Sequence, residues 1–288
     1  MRTFCLSLFL GISFAAFLVH PSTVTSSTVS GNTQKTYSFG VVPQFEQRKL
    51  FSIWQPIVDE LERRTGLGFR LVTTLKIRDF DKEFLNGDYD FAYVNPYLAG
   101  IASADSGAVP LVADKIPLRG IVVVRDTSPI RHVAELNGKV VAFPAPNAIG
   151  ATLLVLADFD QVDHITVKPL FVKTHSSVYL HVVNNLVDAG GGVEKTFQEQ
   201  PQEVRESLRV LYTTRSFPSH PVIAQSRIPK EDREKIRRAL LAVAATPSGK
   251  ELLQKVPIKQ LAPVEAADYT KMLSWGLEKY RHAAPGED

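Results

Sequence analysis

The chain has 288 residues, 44% of them hydrophobic and 22% charged, with a formal net charge of +3. That is a globular composition, long enough for one or two domains and a sizeable core. Its 33 Lys and Arg are interleaved with 30 Asp and Glu and form no basic stripe, which argues against nucleic acid as a partner.

The opening MRTFCLSLFLGISFAAFLVH gives a positive start and an apolar run from Phe4 to Val19, followed by the Ser/Thr-rich PSTVTSSTVSGNTQ. The run is short for a membrane span and has the shape of a secretory signal. Residues 1–35 are therefore expected to be an export signal and linker, the signal being either cleaved or kept as an anchor. The single cysteine, Cys5, lies inside it. A mature chain without it has no disulfide, no cysteine nucleophile and no thiolate metal site.

TYSFGVVP (36–43) alternates and ends in proline, as a first strand does. QRKLFSIWQPIVDELERRTG follows, with Leu50, Ile53, Trp54, Ile57, Val58 and Leu61 at three-and-four spacing. That pattern predicts an amphipathic helix stopped by Gly66. FRLVTT, YDFAYVNP, VPLVAD and RGIVVVRD read as strands, and IRDFDKEFLNGD as a helix ending near Gly87. VAELNGKVVAFPAP gives a short helix, a glycine turn and a strand, after which PNAIGATLLVLADF opens another helix. ITVKPLFV reads as a strand, SSVYLHVVNNLVDAGGGVEKTF as a helix running into a strand, and RVLYTT as a strand. HPVIAQS resembles an edge strand behind Pro218 and Pro221, and the two segments from 230 to 256 and 264 to 283 read as helical. The alternation predicts an α/β class with mostly parallel sheets, whose ligands sit at the C-terminal ends of strands.

Three loops at such ends hold the candidate ligand-binding residues. VVPQFEQRK offers a helix N-terminus with Gln44 and Gln47 beside it, or is an ordinary strand-to-helix turn. DFAYVNPY delivers Tyr93, Asn95 and Tyr97, which pair an apolar or planar body with a polar tip; the alternative is that the tyrosines pack between layers. The third is the helix start at Pro146–Thr152, together with KTHSSVYL, where His175, Ser176 and Ser177 either donate to an oxyanion or cap the helix with an exposed imidazole. DAGGGVE lacks the Lys-Ser/Thr of a phosphate loop and reads as a turn into a strand at the domain base. Asp188 and Glu194 on it are candidates to reach the cleft, where a carboxylate repels fully ionised oxyanions or accepts a proton from a protonated one. There is no nucleophile elbow, no paired metal-spaced His and Glu, and no complete dinucleotide or P-loop pattern, so no catalytic residue, metal site or cofactor is assigned.

Taken in order, YSFGVVPQFEQRKLFSIWQPIVDELERRTG, DFAYVNPY, PLRGIVVVRDTSPIRHVAELNGKVVAFPAPNAIGATLL, VKTHSSVYLHVVNNLVDAG and FPSHPVIAQSRIP resemble the periplasmic phosphate/phosphite/phosphonate-binding proteins of ABC transporters, a branch of the type 2 solute-binding fold. The resemblance implies a two-lobed clamshell with two crossing strands at the hinge, near Ile116–Arg119 and Phe217–Pro221. Lobe 1 would be residues 36–117 plus 221–288, and lobe 2 residues 118–220. It implies ligand contacts at Gln44, Phe45, Tyr93, His175, Asp188 and Glu194, and at the helix start holding Asn147, Ala148 and Gly150. That helix start departs from the hydroxyl-rich form of phosphonate binders, because PNAIGAT keeps the glycine but has Asn147 and Ala148 in place of the hydroxyl cluster. The implied function is capture of a small oxyanion in the periplasm by a monomer that feeds an ABC permease. The alternatives are a sensor partnering a membrane histidine kinase and an enzyme on the same fold.

Overall fold

A computed structural model of the chain describes residues 35–281; the expected export signal, with Cys5, lies outside them. The first strand, β1 (Thr36–Val41), leads into α1 (Gln47–Thr65), which buries the predicted stripe of Leu50, Ile53, Trp54, Ile57, Val58 and Leu61. Gly66 closes α1 at φ 70°, in the left-handed region where glycine carries no Cβ penalty. Next come β2 (Gly68–Val72), α2 (Ile77–Asn86), β3 (Phe91–Tyr93), α3 (Pro96–Asp105) and β4 (Val109–Asp114). The second set begins with β5 (Leu118–Arg125), a 3-10 turn at Val133–Leu136 and β6 (Val140–Phe143). A π-helical turn at Ile149–Leu153 then runs into α4 (Leu154–Gln161), followed by β7 (Lys168–Phe171) and α5 (His175–Val183). This set ends with β8 (Ala189–Val193), α6 (Glu194–Gln198), α7 (Gln202–Glu206) and β9 (Leu208–Phe217). The chain finishes with β10 (Pro221–Ala224), α8 (Lys230–Ala245), α9 (Pro247–Lys255), β11 (Leu261–Pro263), α10 (Ala266–Thr270), a 3-10 turn at Lys271–Trp275 and α11 (Glu278–Arg281).

The strands form two sheets, ordered β11-β4-β10-β3-β1-β2 and β7-β6-β8-β5-β9. The chain leaves the first sheet after Asp114, returns after Phe217, and pairs Leu118 with Phe217, so the two connections run side by side. Both sheets are mixed rather than mostly parallel. β1 pairs in parallel with β2 and β3, and β6 with β7 and β8, whereas β10, β11 and β5 pair antiparallel with all their partners. For β5 and β10 the reason is the crossing: a strand arriving from the hinge starts at the edge where the βα strands end, and so runs against them.

Three further expectations are corrected. HPVIAQS is not an edge strand: β10 is wholly buried between β3 and β4. Its proline is the first residue, where the missing N–H removes no ladder bond, and the Pro221 carbonyl accepts from Val94 N–H at 3.2 Å. DAGGGVE, read as a turn into a strand, is strand from Ala189 on: its glycines form the interior of β8, between β6 and β5. The first C-terminal helical segment is broken once, at Thr246, and a strand fills the gap before the second. Thr246 caps α9 through its hydroxyl, and β11 adds an edge to the first sheet.

The glycines of β8 and β5 have a packing reason. A Cβ on Gly120 would lie 2.0 Å from the Gly150 carbonyl oxygen, and one on Gly191 would lie 2.2 Å from that of Ala151. The π-helical turn therefore sits directly on strand backbone. Ile149, Leu153 and Leu154 also join the core of the first sheet, so the turn is clasped from both sides.

Candidate functional site

The C-terminal ends of β1 and β3 present Gln44, Phe45, Tyr93 and Asn95, and those of β6, β7 and β8 present Asn147, Ala148, Gly150, His175, Ser176, Ser177 and Glu194. These two edges face one another: Asn147 Nδ2 donates to Asp81 Oδ2 of α2 at 3.0 Å, from one sheet's loops to the other's helix. Asp188 does not join them. It precedes β8, and its carboxylate accepts the N–H of Val140 at the start of β6, about five residues and therefore roughly 16 Å along the strand from the cleft edge. The sequence places Asp188 and Glu194 close together; the strand between them carries them to opposite ends.

On the second lobe, the Ala148 carbonyl accepts both Thr152 N–H (2.8 Å) and Leu153 N–H (3.1 Å), which is what widens the first turn into a π-helix. Ala148 supplies no side-chain cap, and the first-turn N–H groups of Ile149, Gly150 and Ala151 have no helical carbonyl behind them. This is a donor-rich surface made of backbone alone. The neighbouring α5 is capped by Thr174, not by Ser176 or Ser177: its hydroxyl accepts Ser177 N–H at 3.0 Å. Thr174→Ala is expected to lower stability by about 1 kcal/mol, read from urea unfolding. His175 opens α5 with its Nδ1 buried and without a partner among the described residues; burial pulls the imidazole down to about 4, so it is neutral near pH 7.

Asn95 is occupied differently from the expectation. Its side-chain oxygen accepts Tyr97 N–H at 2.8 Å, capping α3. Tyr93 is buried between Trp54 (ring centroids 4.8 Å apart) and His220 (5.4 Å, 25° between planes). Burial, with the Asp114 charge nearby, raises its phenol further above its usual range, so the hydroxyl stays a donor. His220 lies between β9 and β10 with Nε2 3.1 Å from Gln44 Nε2. Burial and then the charge of Lys195 lower it to about 4. Lys195 of α6 donates to the Pro257 carbonyl and lies 3.8 Å from Asp114; burial lowers its ammonium. Asp114 accepts the N–H groups of Ile116, Lys259 and Gln260.

His220, Lys195, Thr174 and Asp81 carry no sequence signal read above. The nearest one was the hinge expected at Phe217–Pro221, which contains His220. A cavity of about 330 Å³ behind the connections is lined by Asp114, Phe217, Ser219 and Tyr269 among others, and by none of the expected ligand residues. Among the described residues, no group of three or more His, Cys, Asp or Glu is placed to hold a metal ion, and no helix is long and apolar enough to cross a membrane.

The family model described as "ABC transporter, phosphonate, periplasmic substrate-binding protein" matches residues 39–269. Among solved structures, the chain is similar to XAC2383 from Xanthomonas citri bound to chloride ion (TM-score 0.75, 16% identity, 86% of this chain and 99% of that one). It is also similar to PhnD1 from Prochlorococcus marinus in complex with methylphosphonate (TM-score 0.74, 15% identity, 86% and 99%). A third is a binding-protein component of an ABC phosphonate transporter from Pseudomonas aeruginosa (TM-score 0.69, 15% identity, 88% and 91%). These likenesses establish the type 2 periplasmic-binding-protein fold.

Proposed function

The chain belongs to the periplasmic substrate-binding proteins of phosphonate ABC transporters, and from that premise we propose that its cleft takes a small tetrahedral oxyanion and hands it to a membrane importer. The observation that carries the reading is the facing pair of donor-rich edges, with the uncapped N-terminal turn at Ile149–Ala151 on one side and Gln44 and Tyr93 on the other. Backbone N–H groups at a helix start, aligned with its dipole, stabilise an anion without a counter-charge. Asn147, His175 and the Ser176 and Ser177 hydroxyls supply further hydrogen bonds, and Phe45, Ala148 and Gly150 line the wall. Glu194 stands exposed on the rim.

Residues 36–117 and 221–288 form lobe 1 in this reading, and 118–220 form lobe 2. The sheet membership of the strands supports the division. The lobes close on the ligand, and closure is worth only the difference in ligand affinity between the closed and open forms. The protein acts as a monomer without cofactor or catalytic step, exported by its N-terminal segment. Calorimetric titration with methylphosphonate, phosphite, phosphate and sulfate tests the reading. Binding of at least one is expected, and silence from all four overturns it.

A further inference from the structure

Family resemblance leads to carboxylates around the ligand, yet the floor of this cleft presents an imidazole. Asp188 lies at the far end of β8 and Glu194 is exposed on the rim, whereas His220 stacks on Tyr93 and meets Gln44, both on the cleft edge of the first sheet. We propose that His220 makes the cleft selective for oxyanions in their fully deprotonated form. The proposal deepens the oxyanion reading and rests on it.

The argument is one of donors and acceptors. With the Gln44 amide nitrogen donating to Nε2, the proton of a neutral imidazole resides on Nδ1, which becomes a donor. Around it stand the Lys195 ammonium from α6, a donor only, and the Tyr93 ring from β3, whose neutral hydroxyl both donates and accepts. Asp114, at the end of β4, is the carboxylate in this neighbourhood, and its oxygens already accept three backbone N–H groups beside Lys195. Tyr269 of α10 donates to the Ser219 carbonyl next to His220. The turn at Ile149–Leu153 brings no titratable side chain, and Arg119 of β5 is exposed. A ligand carrying a hydroxyl proton finds no free carboxylate around His220: the acceptors left there are neutral hydroxyl and amide oxygens, and the unpartnered carboxylate oxygen of Asp81 stands against Asn147 on the facing edge. An unpaired donor in a desolvated site weakens binding roughly ten- to a hundredfold.

The test is calorimetric titration of the full chain with methylphosphonate and inorganic phosphate from pH 6 to 9, with sulfate as the reference that has no second proton to lose. Burial holds His175 and His220 down at about 4, so both stay neutral across that range, while Asp81, lifted to about 6 against Asn147, ionises within it, and the slope is therefore read in Asp81→Asn as well. Affinity for the two phosphorus anions is expected to rise about tenfold per pH unit below their second ionisation and then level off, while sulfate stays flat. His220→Asp supplies an acceptor and is expected to reverse the slope. His220→Gln brings an amide oxygen that can accept and is expected to weaken the slope, which covers the case in which the aspartate variant does not fold; a slope as steep as that of the wild type overturns the proposal. Glu194→Gln is expected to leave the slope unchanged. Binding whose affinity is independent of pH, or falls as pH rises, overturns the selectivity and leaves the oxyanion reading standing. A slope that appears only in Glu194→Gln assigns discrimination to the rim carboxylate and also overturns it. Absence of binding by all three anions overturns the oxyanion reading itself.

Discussion

The Asp81→Asn variant is expected to unfold at higher urea concentration than the wild-type protein at pH 7, by an amount worth about 2 kcal/mol. Asp81 is 8% exposed, one carboxylate oxygen takes the Asn147 amide across the lobes, and the other is buried with no partner. Burial lifts the carboxyl to about 6 from 3.8, against the opposing pull of Asn147 and Arg281. Between those two values the folded chain binds more protons than the unfolded one, so stability falls as pH rises from about 4 to above 6. The full difference is roughly 3 kcal/mol at pH 7. An amide at this position still accepts from Asn147 but leaves a buried N–H unpaired, at about 1 kcal/mol, which sets the net gain. Below pH 4 the carboxyl is protonated in both states, the gain vanishes, and the unpaired N–H leaves the variant about 1 kcal/mol less stable than the wild type. Urea unfolding at half-unit steps from pH 4 to 8 reads this directly. Identical pH profiles for the two proteins would mean that the Asp81 carboxyl is solvated.

Gly120→Ala is expected to have the opposite and larger effect, a loss of about 3 kcal/mol or more together with more than tenfold weaker anion binding. The methyl group meets the Gly150 carbonyl at 2.0 Å and Thr214 Cγ2 at 3.0 Å. The carbonyl is backbone, held by the π-helical turn, so relief requires moving the turn that presents the first-turn N–H groups to the cleft. Gly138 is the control. It has open space around it and φ 75°, so Gly138→Ala brings only left-handed strain of about 1–2 kcal/mol and no change in ligand affinity. Urea unfolding gives the stability terms and calorimetry the affinities. Equal effects at both positions would remove the close-approach argument.

Much of this protein is legible locally. The spacing of Leu50 through Leu61 determines α1 and its buried face, Gly66 and Gly87 end their helices in the left-handed conformation the sequence implies, and the collinear segments identify the family. These are readings of periodicity and of single-residue conformational preference, which act within one element. The three glycines of β8 have no side-chain pattern to read. Packing on both faces of the sheet explains them, the 149–153 turn against Gly191 and Val178, Val182 and Tyr179 of α5 against Gly190 and Gly192, and the resulting strand separates Asp188 from Glu194. The anion wall was visible as a helix start, but its π-turn arises because the Ala148 carbonyl serves two N–H groups at once. Two contacts that determine what the cleft can recognise join residues remote in sequence: Gln44 meets His220 across 176 positions, and Asp81 meets Asn147 across 66. No local pattern encodes such pairs. The first exists because β10 returns from the connection to pair beside β3 in the first sheet, and the second because the two sheets bring their strand ends face to face; both are properties of the tertiary structure alone.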